Sequence, residues 1–207
     1  MSPTEPRLAN QPVILASQSP SRFALLKGAG LNVTRIPARV DEEAVRESLE
    51  AEGASARDMA DLLAELKARN VSERERGAFV IGADQILECE GRLYAKPTDR
   101  AAAARHLAEF SGKTHTLLTA ACVARDGEVL WRTLQTPRLT MRPLSPAFIE
   151  TYLDATGEAV LGSVGVYHLE GLGAQLFTRI EGDYFAILGL PLIPLLDFLR
   201  RHNIVPT

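Results

Sequence analysis

The sequence predicts an α/β fold, a mixed, twisted sheet flanked by helices. Three observations carry that prediction. Short apolar runs such as Val13-Ile14-Leu15-Ala16 and Phe79-Val80-Ile81-Gly82-Ala83 alternate with helical patterns, as in parallel strand–helix units. Two long segments rich in Thr, Val and Leu, Thr114–Arg125 and Glu128–Met141, flank Asp126-Gly127. That dipeptide tolerates the left-handed backbone of a tight hairpin, so part of the sheet is antiparallel. No repeat, low-complexity stretch or clear linker interrupts the chain, so residues 1–207 read as one domain with a flexible N-terminal segment over residues 1–12.

Taken in order, Val13–Ala16 is a buried strand, followed by a polar loop and a helix. Ser19 suits the N-cap, Pro20 the first helical position and Gly30 the position just past the end. Asn32–Ala38 is expected as a second strand and Asp41–Glu52 as a charged, exposed helix. Ser55–Ser72 carries Met59, Leu62, Leu63 and Leu66 as an apolar stripe at helical spacing. Phe79–Ala83 is a strand that Gln85–Glu88 continues or that a new strand follows. Glu90-Gly91 is a turn. Thr98–Phe110 is a helix capped by Thr98 or Asp99. After the hairpin come a capped helix over Ser145–Ala155, a glycine-rich loop over Gly157–Gly173, and a closing helix over Pro191–His202.

Charge and composition narrow the function classes. The net charge is -3, without the basic excess of a duplex-binding protein, so no nucleic-acid partner is expected. Small anionic ligands remain open, because a few local cations suffice to bind them. Cys89 and Cys122 form no CxxC and read as two reduced thiols. The N-terminus lacks a signal-peptide pattern and no apolar run is long enough to span a bilayer, which points to a cytoplasmic protein with no membrane partner. His106, His115, His168 and His202 show no metal-ligand spacing and read as surface or core residues.

Several constellations are candidates for chemistry. Ser17-Gln18-Ser19-Pro20-Ser21-Arg22 places hydroxyls, free backbone N–H groups and a guanidinium at a helix start, the parts of a phosphate site or of an ordinary capped helix with a surface arginine. Asp84 ends an apolar strand, where open α/β sheets place ligands; it holds Mg2+, orients a water or caps a turn. Lys67, on the polar edge of its helix, and Lys96, in a turn before a helix, are cations able to neutralise phosphate charge or simply to face solvent. Glu42 belongs to an acidic helix start. Ser111-Gly112-Lys113-Thr114 imitates the end of a P-loop, but position 107 is Leu107 and the context is inverted, so Gly112 reads as a helix C-terminal signal. Glu170-Gly171-Leu172-Gly173 and Glu181-Gly182-Asp183 either approach a ligand or turn corners.

Together these segments resemble the Maf family of nucleoside triphosphate pyrophosphatases. The matching text is Ile14–Arg22, Asp41-Glu42, Leu63-Ala64 with Lys67-Ala68, Ile81–Asp84, Lys96-Pro97, Ser111–His115, Glu170-Gly171 and Glu181–Tyr184 through Gly189–Pro191, in the family's order along nearly the whole chain. The resemblance implies an elongated fold with a cleft between two lobes. It also implies water attack at the α-phosphorus of a small-molecule nucleotide, dependent on a divalent metal cation, Mg2+ or Mn2+. Asp84 matches the catalytic aspartate, as general base or metal-bound carboxylate, and Glu42 an acid serving the metal. Ser17, Ser19, Arg22, Lys67 and Lys96 match polyphosphate-binding positions. Gln85 and Glu170 look like the branch that hydrolyses 7-methyl-GTP, whereas Ser21 stands where that branch often has Trp. A dTTP/UTP pyrophosphatase is the alternative substrate class, a non-enzymatic cell-division interaction protein the alternative of another class. A homodimer is implied by the family alone.

Overall fold

The structure, a computed structural model, describes residues 11–206. Residues 1–10 of the expected N-terminal segment lie outside the described residues. The α/β class and the mixed sheet are as expected. The elements are β1 (Val13–Leu15), α1 (Pro20–Gly28), β2 (Val33–Arg35), α2 (Glu42–Ala51), α3 (Ala56–Ser72), β3 (Phe79–Cys89), β4 (Arg92–Tyr94) and α4 (Arg100–Phe110). They continue with β5 (Thr114–Arg125), β6 (Glu128–Gln135), β7 (Arg138–Met141), α5 (Pro146–Thr156), β8 (Phe177–Glu181), α6 (Tyr184–Ile187) and α7 (Leu192–Arg201).

The spine of the sheet is the antiparallel pair β3·β5, in register from Val80↔Ala124 to Glu88↔Thr116. Each outer edge of this pair is shared by two short strands. On the β3 edge, β1 pairs in parallel with Phe79–Ile81, and β4 pairs antiparallel with Leu87–Cys89. On the β5 edge, β6 takes Thr119–Arg125 and β7 takes Thr114–Thr116. β2 extends β1 in parallel and β8 extends β7. Between the partners of its two ends, β3 has an unpaired stretch of edge that contains Asp84 and Gln85.

Alternation along the spine sorts the core. Ile81 and Val123 pack with α1, β1 and α7 at one end, and Leu87 and Leu117 pack with α4, β7 and α5 at the other. The opposite face, with Ile86, Ala120, Cys122 and Ala124, is covered by α3 through Met59, Ala60, Ala64 and Ala68. Burial pushes the Cys122 thiol up to about 12, as suits an inert core thiol, and both cysteines are free.

The caps follow the sequence. Ser19 Oγ accepts from Arg22 N at 3.3 Å, and Asp99 rather than Thr98 caps α4 by accepting from Ala102 N. Asp126 and Gly127 both have positive φ, as the hairpin requires. Helix α4 ends before Gly112, at φ 71°, and β5 follows, so Ser111–Thr114 is no P-loop.

Other expectations need correction. Glu128–Met141 is two strands, because Pro137 has no N–H to continue a ladder; its carbonyl accepts from Leu117 N at 2.9 Å instead. The second strand is only Val33–Arg35, and Gly157–Leu176 contains two 3-10 turns, at Gly157–Gly162 and Leu172–Leu176. β4, β8 and α6 are too short to carry a periodic sequence signal; α6 begins where Asp183 accepts from Ala186 N at 2.7 Å.

His115 is the buried histidine of the β5 core. Its Nε2 pairs with Tyr167 OH at 2.8 Å and Nδ1 has no partner. Burial lowers its pKa from 6.5 to about 4. Between those values the unfolded chain binds a proton that the folded chain rejects. The stability this residue confers is therefore complete above about pH 7 and is lost as pH falls toward 4, by roughly 3 kcal/mol at most. Thermal melts of the wild type and His115→Gln from pH 8 to pH 4 are expected to converge as pH falls. Parallel curves across that window would exclude His115 as the cause.

Candidate active site

The unpaired edge of β3 opens into a cavity of about 690 Å3. Its wall contains all ten candidate residues: Ser17, Ser19, Ser21, Arg22, Glu42, Lys67, Asp84, Gln85, Lys96 and Glu170. They come from six separate segments of the chain.

Asp84 and Gln85 are neighbours on β3 and so point to opposite faces of the sheet. Asp84 faces α3. It is 3% exposed, and its Oδ1 accepts from Lys67 Nζ at 2.7 Å. Lys67 Nζ also donates to Glu42 Oε2 at 2.7 Å. Lys67 is 5% exposed, which corrects its placement on a polar helix edge. The reason is small side chains: Ala64 and Ala68 on α3 meet Gly82 on β3, where a Cβ would overlap the Ala64 carbonyl oxygen and sit 2.6 Å from Ala68 N. That close approach lets the lysine stem reach the strand instead of solvent. The ion pair is buried, so removing one partner leaves a charge with little water to replace it.

The loop after β1 forms the second wall. Ser17 Oγ accepts from Ser19 N at 3.1 Å and Ser19 caps α1, so both hydroxyls lie at the positive end of a nine-residue helix. Arg22 extends across the sheet edge. Its Nε donates to Gly189 O at 2.7 Å and its Nη1 to Ala83 O at 2.9 Å. It therefore ties the loop after α6 to the strand that carries Asp84. Burial lowers the Arg22 pKa. The Lys96 ammonium is also held below its ordinary value, by desolvation first and by the Arg22 charge next. These cations thus sense each other across the cavity.

Gln85 is engaged within the protein. Its Nε2 donates to Thr119 Oγ1 at 2.9 Å, with Ala186 O and Ile187 O at 3.0 and 3.2 Å, so the amide holds α6 against the spine. Glu170 is exposed on the rim, beside the half-buried His168.

The sequence reading missed Arg46, whose Nη2 donates to Asp84 Oδ2 at 3.2 Å. The available signal was its spacing: Glu42 and Arg46 are four apart and share one face of α2.

Among the described residues no group of three or more His, Cys, Asp and Glu converges on a metal position. Two carboxylates do converge, since Glu42 and Asp84 bond the same ammonium. Two hard oxygen donors are too few for a closed calcium cage, but they fit Mg2+, which takes one or two carboxylates and completes its shell with water and substrate phosphate.

A buried carboxylate gripped by cations, beside a hydroxyl-lined helix start at the end of a parallel strand, is the arrangement of an α/β protein suited to phosphorylated ligands. A family model described as Maf-like protein matches residues 12–202, and the chain belongs to that family. It is 53% identical over 195 residues to a nucleoside triphosphate pyrophosphatase of Hyphomonas neptunium, covering 94% of this chain and 98% of that protein. It is 50% identical over 193 residues to a 7-methyl-GTP pyrophosphatase of Brucella suis, covering 93% and 97%. A solved nucleoside-triphosphatase / dITP/XTP pyrophosphatase from Mycobacterium abscessus aligns at 17% identity with a TM-score of 0.42, over 93% and 94% of the two chains. Among the described residues no helix is long and apolar enough to cross a membrane.

Proposed function

We propose that the chain is a cytoplasmic hydrolase that cuts a nucleoside triphosphate into a monophosphate and pyrophosphate, by metal-assisted attack of water at the α-phosphorus. The observation that carries this reading is the buried Asp84 carboxylate, set on an open sheet edge between cations and lining the same cavity as the Ser17–Arg22 loop. Relatives covering almost the whole chain are named for this activity.

In this reading the start of α1, with Ser17, Ser19 and Arg22, cradles the phosphate chain, and Lys67 and Lys96 offset the charge that develops on the departing pyrophosphate. Glu42 and Asp84 are the residues that would hold Mg2+ or Mn2+. When bound there, the cation supplies Lewis acidity to the phosphoryl oxygens. Asp84 orients the attacking water and accepts its proton. Gln85 acts by positioning, since its amide fixes the wall at Ala186–Ile187.

The base favoured is 7-methylguanine. Glu170 on the rim can accept from guanine N1–H and N2–H and offset the positive charge of a methylated ring. The name of the Brucella relative agrees. UTP and dTTP are the alternative substrates, and a homodimer is the expected assembly.

Pyrophosphate release is to be measured with 7-methyl-GTP, GTP, UTP, dTTP, CTP and ATP, each with Mg2+ or Mn2+. The expected order puts 7-methyl-GTP first; a preference for UTP and dTTP would move the assignment to the alternative class. Excess EDTA is expected to reduce turnover to background and added Mg2+ or Mn2+ to restore it. Full turnover in EDTA would remove the metal from the scheme, and no pyrophosphate from any nucleotide would remove the activity.

A further inference from the structure

Helix α2 buries none of its residues, yet it directs one cation into the cavity. Arg46 reaches Asp84 Oδ2 through Nη2 at 3.2 Å, while its Nε is buried with no hydrogen-bond partner. The side-on fork of a guanidinium, Nε with Nη2, is therefore half used. A carboxylate met squarely would take both nitrogens. On the other side Lys67 holds Asp84 Oδ1 at 2.7 Å, so each oxygen of the proposed catalytic carboxylate already bears a cation.

We propose that Arg46 is a polyphosphate-binding residue which Asp84 holds in reserve. When a triphosphate enters, the guanidinium passes from the carboxylate to the phosphate chain and leaves Asp84 Oδ2 free to act. The inference rests on the reading of the cavity as a nucleoside triphosphate site. Three features favour the exchange. A triphosphate carries more negative charge than one carboxylate and offers paired oxygens that match the whole fork. The exchange gives the orphan Nε an acceptor, and a buried donor without one is unfavourable. A helix with no buried residue can also shift at low cost, because little apolar packing holds it in place. Arg22 lines the same cavity and can meet the same anion.

The test is a double-mutant cycle on binding, not turnover, with inorganic triphosphate as the probe, measured by calorimetry without divalent metal. Arg46→Ala is expected to weaken binding by roughly tenfold. Asp84→Asn is expected to tighten it by roughly fivefold, since it releases Arg46 and removes a competing anion. In the Arg46→Ala background that gain is expected to shrink to about twofold or less. Arg46→Lys keeps the charge without the fork and is expected to fall between wild type and alanine, which carries the test if alanine perturbs the helix. Equal gains from Asp84→Asn in both backgrounds, or unchanged affinity in Arg46→Ala, would overturn the exchange alone. No binding of triphosphate by the wild type would overturn the cavity assignment and this inference with it.

Discussion

Asp84→Asn is expected to lower the turnover of pyrophosphate release by roughly a thousandfold while the chain stays folded. The side chain is nearly isosteric, so the volume between β3 and α3 is conserved. What changes is charge. Asp84 is the deepest carboxylate of the cavity, with Lys67 on one oxygen and Arg46 on the other. An amide cannot accept the proton of an attacking water and is a poor ligand for a hard cation, so both roles open to Asp84 disappear together. Some stability is lost as well, because the nearly buried Lys67 keeps only Glu42, whose side chain is 48% exposed, as an anionic partner. The decisive comparison is single-turnover pyrophosphate release beside a thermal melt. A cooperative melt with turnover within tenfold of wild type would exclude Asp84 from the chemistry.

The second large effect is expected at a residue with no side chain. Gly82→Ala should lower stability by about 3 kcal/mol or more, a Tm fall on the order of 10 °C, and should disable the site with it. Gly82 has no left-handed backbone requirement; its constraint is space. The added carbon meets the Ala64 carbonyl and the Ala68 nitrogen, which are backbone atoms of α3 and cannot rotate away. Relief requires α3 to lift from the sheet. Lys67 lies on that helix, so the 2.7 Å contact to Asp84 lengthens as the helix moves. A displacement near 1 Å is enough to cost about a hundredfold in rate. Gly28→Ala, at a helical position where a Cβ meets nothing within 4 Å, is the matched control and should be neutral or stabilising. Gly82→Ala with unchanged Tm and turnover would show that the helix–sheet spacing does not set the site.

Local signals in the sequence proved legible where the chemistry is local. Ser19 and Pro20 start α1, Asp126-Gly127 closes a hairpin, and Gly112 follows the end of α4, because capping and positive φ depend on neighbouring residues only. Long strands were harder. Glu128–Met141 has the composition of one strand, but its two halves occupy different stretches of the β5 edge, and Pro137 marks the change. The short elements β4, β8 and α6 carry too few residues for a periodic signal.

The ten candidate residues were named from their types and from a family resemblance, and the fold brings all of them to one cavity wall. Their contacts were not legible. Lys67 stands between Glu65 and Arg69 in the sequence, and only the small-residue seam of Ala64, Ala68 and Gly82 shows that it lies under the sheet. Gln85 resembled a base selector, yet its amide is bonded to Thr119 and to the carbonyls of Ala186 and Ile187, about one hundred positions further along the chain. Arg46 is the single cation of an acidic helix, among Glu42, Glu43, Glu47 and Glu50, which is also the pattern of an ordinary exposed ion pair.

By itself, then, the sequence determined the α/β class, the caps and turns, and which residue types are able to bind phosphate and metal, since each follows from a side chain and its near neighbours. Only the tertiary structure decided which charges meet. The approach of α3 to β3 couples Lys67 to Asp84, the gap between β1 and β4 leaves the sheet edge at Asp84 unpaired, and the face shared by Glu42 and Arg46 turns α2 toward the same carboxylate. Those couplings join residues up to 38 positions apart, and Coulomb interaction depends on distance in space and on exclusion of water, neither of which is written in the order of residues.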